Sequence, residues 1–156
     1  MDQYIDSFGF IKSYNPEVAN VTLLINDLTK VFSKTHNIVH DKNGPNWLDI
    51  YSVDTTTNKH DGFYMIIYKN NLVTLKNYKQ GKNHGRIYKW FANGQRKSES
   101  IFIDDYPHGY MTSWNEYQEI IEITRYDNGA FDGFNIEYDP ETDHLENLSR
   151  YRQTAY

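Results

Sequence analysis

Apolar positions in this chain change period once. In NPEVANVTLLINDLTKVFSK, residues Val18, Val21, Leu24, Ile25, Leu28, Val31 and Phe32 recur at steps of three and four, the spacing of one helix face. Asn15, Pro16 and Glu17 supply an N-cap, a first-turn proline and an acid that suits the helix dipole. The pattern therefore predicts an amphipathic helix from about Pro16 to Lys34 whose stripe covers the end of a β sheet. Thr35 to Pro45 reads as a polar connection, and Trp47 to Val53 alternates as a strand.

From Asp61 onward the period becomes two, and the alternating runs repeat. Asp61-Gly62, His84-Gly85, His108-Gly109 and Asp132-Gly133 are spaced 23, 24 and 24 residues apart. One, three and five places after each glycine stand Phe63/Met65/Ile67, Arg86/Tyr88/Trp90, Tyr110/Thr112/Trp114 and Phe134/Ile136/Tyr138. Period two puts each trio on one side of a strand, and stacked units would merge these sides into one core. Turns are expected at Asn70-Asn71, Asn93-Gly94, Asn115 to Gln118 and Asp139 to Thr142. Asn93-Gly94 is the strongest, because both central positions of a tight hairpin favour positive φ. Returning strands pass through Tyr78, Phe102 and Tyr126, each seven residues before the next marker glycine. The last unit ends near Leu145 to Tyr151.

The unit YKQGKNHGRIYKWFANGQRKSESIF resembles the MORN repeat variant of bacterial and phage proteins, with Tyr78, Gly81, His84, Gly85, Tyr88, Trp90, Asn93 and Gly94 in matching places. The third unit lacks the Asn-Gly turn and has Asp105 where Gly81 stands; the fourth keeps Tyr126, Gly129, Asp132 and Gly133. The resemblance covers roughly residues 61 to 151. It implies a mainly β protein: an elongated antiparallel sheet of stacked hairpin repeats (61–156), preceded by a helix and capping-strand region (1–60) within one continuous domain. It also implies a binding role, since such proteins include antitoxins, immunity proteins, scaffolds and binders of lipid head groups.

Composition narrows the chemistry. The chain has 156 residues and no cysteine, which removes disulfides, thiol nucleophiles and thiolate metal sites and leans toward a reducing compartment. The N-terminus lacks the basic start and apolar run of a secretion signal, and no run is long enough to span a bilayer, so a cytoplasmic location is expected. Fourteen Tyr and eight Phe suit pleated, half-exposed sheets. No phosphate loop, nucleophile elbow or His-Glu-x-x-His occurs, so no catalysis, cofactor or metal is expected. His36 and His40, four apart, would share a helix face but lack a third ligand. His84 and His108 hold equivalent places, where a partner for the turn backbone is a simpler role than a titrating pair.

Charge is sharply segregated. Residues 62 to 98 hold eight bases and no acid, whereas 99 to 147 hold thirteen acids and one base, Arg125. Glu116, Tyr117, Glu119, Glu122, Asp127, Asp132 and Glu137 are the first candidate partner-binding set: an acidic, aromatic surface able to block a basic cleft on a toxin or on a host or defence enzyme. The alternative is a phospholipid or nucleic-acid scaffold using Lys79, Lys82, Arg86, Lys89, Arg96 and Lys97. Homo-oligomers through sheet edges are a further expectation.

Overall fold

The protein, seen in a computed structural model, is described over residues 21–139 and 144–151, with side chains over 25–132. Its one described helix, α1 (Val21–Phe32), precedes twelve strands. They are β1 (His36–Lys42), β2 (Trp47–Asp54), β3 (His60–Tyr68), β4 (Asn71–Lys79), β5 (Lys82–Asn83), β6 (Gly85–Trp90), β7 (Arg96–Ile103), β8 (Tyr106–Pro107), β9 (Gly109–Trp114), β10 (Ile120–Asp127), β11 (Ala130–Asp139) and β12 (His144–Tyr151). All join one antiparallel sheet in the order β1-β2-β3-β4-β6-β7-β9-β10-β11-β12, with β5 on β4 and β8 on β7. This is an open meander: the ten longer strands pair in chain order, and the two-residue strands β5 and β8 add to β4 and β7 at the tight turns. The expected segment boundary at 60/61 falls inside β3, which pairs with β2 on both sides of it, through Val53↔His60 and Tyr51↔Tyr64 with a register shift between them.

The expected repeat is present as backbone conformation. Two-residue turns at Gln80-Gly81, Asp104-Asp105 and Asn128-Gly129 have both residues at positive φ, 24 residues apart each time, as the mirror-image turns of tight hairpins require. Each is tied back to the preceding unit by one backbone bond: Gly81 N–H to the His60 carbonyl (2.7 Å), Asp105 to Asn83 (2.9 Å) and Gly129 to Pro107 (2.9 Å). The first hairpin turns at Lys69-Asn70, one residue before the expected Asn70-Asn71, because these two adopt the positive φ values.

Asn93-Gly94 folds differently from expectation. Only Gly94 has positive φ; its N–H bonds the Phe91 carbonyl, and Phe91 N–H bonds Gln95. This is a type I turn closed by a left-handed residue. The third unit repeats that backbone without the glycine: Gln118 takes φ 64, and its N–H bonds the Asn115 carbonyl at 3.0 Å. The Asn115 side chain accepts from Tyr117 N–H and Glu119 N–H, both at 3.0 Å, and holds a turn whose sequence signature is missing. The fourth-unit turn at Asp139 to Thr142 runs outside the described residues, as does the helix start at Pro16 to Asn20.

Thr35 to Pro45 is not a connection: β1 lies within it and pairs along its full length with β2, from His36↔Asp54 to Lys42↔Leu48. His36 and His40 are thus strand residues, not a helical pair. Histidine and asparagine hide the alternation that Ile38 alone cannot signal.

One lateral row shows where the core lies. His40, Ile50, Met65, Leu75, Tyr88, Glu99, Thr112, Ile123 and Ile136 are successive cross-strand partners over nine strands. Cross-strand partners point to the same side, so this row is apolar from β2 to β6, turns polar at Glu99 and Thr112 on β7 and β9, and returns to isoleucine on β10 and β11. Leu28 and Phe32 of α1 pack on the apolar part with Ile50, Phe63, Met65, Ile67, Leu72, Leu75, Tyr88 and Trp90, and the Phe32 ring meets Phe63 edge-on. Trp90 and Trp114 are both buried, as expected. Arg86 and Tyr110, which lead their trios, are exposed, because α1 covers only the first half of this face.

Candidate partner-binding surface

The acidic candidates separate into three places. Glu116, Tyr117 and Glu119 share the β9–β10 turn, where Tyr117 is 84% exposed. The turn is pinned by Asn115, whose amide also donates to Glu119 (2.8 Å), and by Gln118, whose amide donates to the Arg96 carbonyl (2.9 Å). Glu122 lies in β10 on the face opposite α1; it accepts from the Thr124 hydroxyl at 2.9 Å and faces Glu137 in register. Asp127 and Asp132 lie toward the far ends of their strands, beside His108 (3.8 Å) and Arg125 (3.6 Å) respectively.

The basic candidates also disperse. Lys79 and Lys82 flank the Gln80-Gly81 turn. Arg86 sits on the α1 side and meets Glu99 at 3.8 Å; the Arg96 guanidinium lies 4.4 Å over the Trp114 ring, and Lys97 stands 5.7 Å over Phe91. Lys89 is on the opposite face, next to Lys76, whose ammonium is pushed below its usual pKa by burial and by Lys89. The six candidates therefore divide between a turn and both faces of the sheet.

His84 and His108 do not meet. Each leans toward an acid at the next tight turn, Asp104 at 3.4 Å and Asp127 at 3.8 Å. Asp61, their counterpart, accepts Gln80 N–H at 2.8 Å and pairs with His36 at 2.8 Å. The residue before each of the first three marker glycines thus lies against the turn that follows. Among the described residues no group of three metal-ligating side chains occurs, and no helix is long and apolar enough to cross a membrane.

A cluster that sequence reading missed sits across β1–β4 on the face away from α1. Tyr51 and Tyr64 stack at 4.9 Å; their hydroxyls donate to Asp41 and Asp49, both at 2.6 Å. The bond to Asp41, followed by burial, raises the Tyr51 pKa to about 12. Burial and the bond to Asp49 push Tyr64 higher still. The signal was present as Asp49 and Tyr51 alternating with Leu48 and Ile50.

No protein-family model matches the chain, and no curated protein does. Among solved structures, the crystal structure of TarM is similar at 12% identity and a TM-score of 0.33, over 90% of this chain and 24% of that one. A mutant of S. aureus TarM in complex with Fondaparinux, alpha-GlcNAc-glycerol and UDP is similar at 13% identity and a TM-score of 0.31, over 86% and 22%. The chain spans about a quarter of their length.

Proposed function

We propose that this chain is a non-catalytic protein-binding module of the inhibitor or immunity type, and that the β9–β10 turn is its leading contact. The observation that carries the reading is Tyr117, an aromatic ring 84% exposed at the tip of a turn whose backbone is already fixed by Asn115. An aromatic anchor on a preorganised turn contributes affinity without an ordering cost. Glu116 and Glu119 beside it suit a partner with a basic cleft, as nucleases and other phosphate-handling enzymes have, and would speed encounter. The resemblance of the second unit to MORN repeats supports a binding role from a separate direction. Glu122, Asp127, Asp132 and Glu137 lie elsewhere and form no part of this contact.

The test is a photo-crosslinking residue at position 117, expressed in the native host, with adducts identified by mass spectrometry. The captured protein is then purified and titrated. Tyr117→Ala is expected to weaken binding about tenfold or more, and E116Q/E119Q to flatten its salt dependence. A captured protein whose affinity ignores all three changes would refute the reading. Binding of the chain to nucleic acid or anionic vesicles, weakened by Lys79→Gln and Lys82→Gln, would favour the alternative.

A further inference from the structure

A second lateral row, on the face away from α1, has a symmetry that the fold itself does not use. Thr74, Lys89, Ser98, Ser113, Glu122 and Glu137 are successive cross-strand partners on β4, β6, β7, β9, β10 and β11. Its inner four positions read cation, hydroxyl, hydroxyl, anion. We propose that this face binds the same face of a second copy, related by a twofold axis running parallel to the strands midway between β7 and β9.

That axis exchanges β6 with β10 and β7 with β9. It lays Lys89 of each copy over Glu122 of the other, twice, with Ser98 over Ser113 between the two pairs. The alternative twofold, lying across the strands, would set Lys89 on Lys89 and Glu122 on Glu122, so charge chooses between the two geometries. Within one chain Lys89 and Glu122 are three strand spacings apart, about 14 Å, too far to neutralise each other. Each charge is felt by its neighbours on this face instead. Burial lowers the Lys76 pKa and Lys89 lowers it further, and Glu122 adds to burial in raising that of Tyr126. No ion pair holds Lys89 or Glu122 among the described residues, and Thr124 steadies the Glu122 carboxylate on this face.

Side-chain size is complementary under the same operation. Gly85 is the cross-strand partner of Phe102, and Gly109 of Tyr126. The axis brings Phe102 of one copy to Gly109 of the other, and Tyr126 to Gly85, so rings meet gaps. Ile87 and Thr124, which the same axis superposes, are both buried within the single chain and add no contact of their own. Sheets packed face to face tolerate this near-aligned arrangement. Six strands of about six residues give a face of about 500 Å² per copy, below that of a permanent dimer. The association is therefore weak, in the micromolar range or above, and sensitive to salt.

Sedimentation velocity on the whole chain tests this, at a concentration of about 100 μM and at low and high salt. A monomer–dimer equilibrium that weakens as salt rises is expected. Lys89→Glu and Glu122→Lys should each be monomeric, since each places like charges together twice. Two results are specific to the proposed geometry: an equimolar mixture of the two variants should dimerise, and so should the double variant K89E/E122K. Urea midpoints near that of the unaltered chain would show that both single variants fold. A chain that stays monomeric at all concentrations, a dimer unmoved by either reversal, as pairing through the β1 edge would give, or variants that fail to pair when mixed would overturn the proposal.

Discussion

Gly85 and Phe102 stand directly opposite each other on β6 and β7, and the relationship recurs as Gly62 opposite Tyr78 and Gly109 opposite Tyr126. The glycines take φ of 95, 109 and 74 in chain order, a region open to glycine and costly for other residues. The repeat is thus a cross-strand unit: a kinked glycine and the large ring beside which it lies. Seven residues separate each ring from the next glycine in sequence because the tight turn between them is always two residues long.

The glycines are not equally strict, and this gives the first prediction. A Cβ on Gly62 would come within 2.5 Å of Phe32 Cε1 and of Ser52 Oγ, whereas one on Gly109 would meet nothing closer than Ile101 Cδ1 at 3.9 Å. Gly62→Ala must displace the ring that fastens α1 to the sheet as well as strain the backbone. It is expected to cost about 3 kcal/mol or more, against about 1–2 kcal/mol for Gly109→Ala. Urea denaturation of the two variants measures the difference; equal losses would mean that Phe32 yields freely.

Much of this architecture is legible in the sequence. Marker glycines, returning aromatics and the helical stripe through Leu28 and Phe32 all report backbone geometry or burial locally, and each is where its spacing places it. What was hidden depends on partners distant in sequence. β1 needed β2 to reveal it, since HNIVHDK alternates too weakly alone. The Tyr51–Asp41 and Tyr64–Asp49 bonds join residues 10 and 15 apart, which no periodicity encodes. The acidic set dispersed because neighbours in sequence on a strand alternate faces, and strand ends lie far apart: Glu116 and Asp127 bracket one strand and stand at its opposite ends.

Gln118 offers a second prediction. It adopts the left-handed conformation that Gly94 holds in the preceding unit, at a backbone cost of about 1–2 kcal/mol. Gln118→Gly relieves that strain and gives up one exposed hydrogen bond to the Arg96 carbonyl, worth about 0.5–1 kcal/mol. A small rise in thermal midpoint is expected. A fall would show that the amide bridge between the two turns outweighs the backbone term.

The core has a defined border, which yields a third prediction. Phe32 is 9% exposed and packs on Phe63, while Val31, one residue before it on α1, is 38% exposed. Phe32→Ala should cost about 3–5 kcal/mol; Val31→Ala should stay within about 1 kcal/mol. Chemical denaturation with tryptophan fluorescence reads both, since Trp90 belongs to the same core. Similar losses at the two positions would mean that α1 is oriented differently on the sheet.

Alkaline pH should destabilise the fold through the tyrosine pair. Tyr51 titrates near 12 in the folded chain, held up first by its bond to Asp41 and then by burial, and Tyr64 is raised further by burial and Asp49. A phenol in the unfolded chain titrates near about 10. The folded state therefore keeps protons that the unfolded state releases, so stability is complete below about pH 10 and declines as pH rises through about 12. Urea midpoints measured between about pH 8 and about pH 11 should fall at the upper end, and Tyr51→Phe should reduce the slope because it removes one of the protons that the folded chain retains. Tyr64→Phe acts at neutral pH as well: Asp49, only 8% exposed, loses the hydroxyl that donates to it, at a cost of about 1–3 kcal/mol. A flat profile up to about pH 11 in the unaltered chain would mean that both phenols exchange freely with solvent and that the stacked pair does not hold its protons.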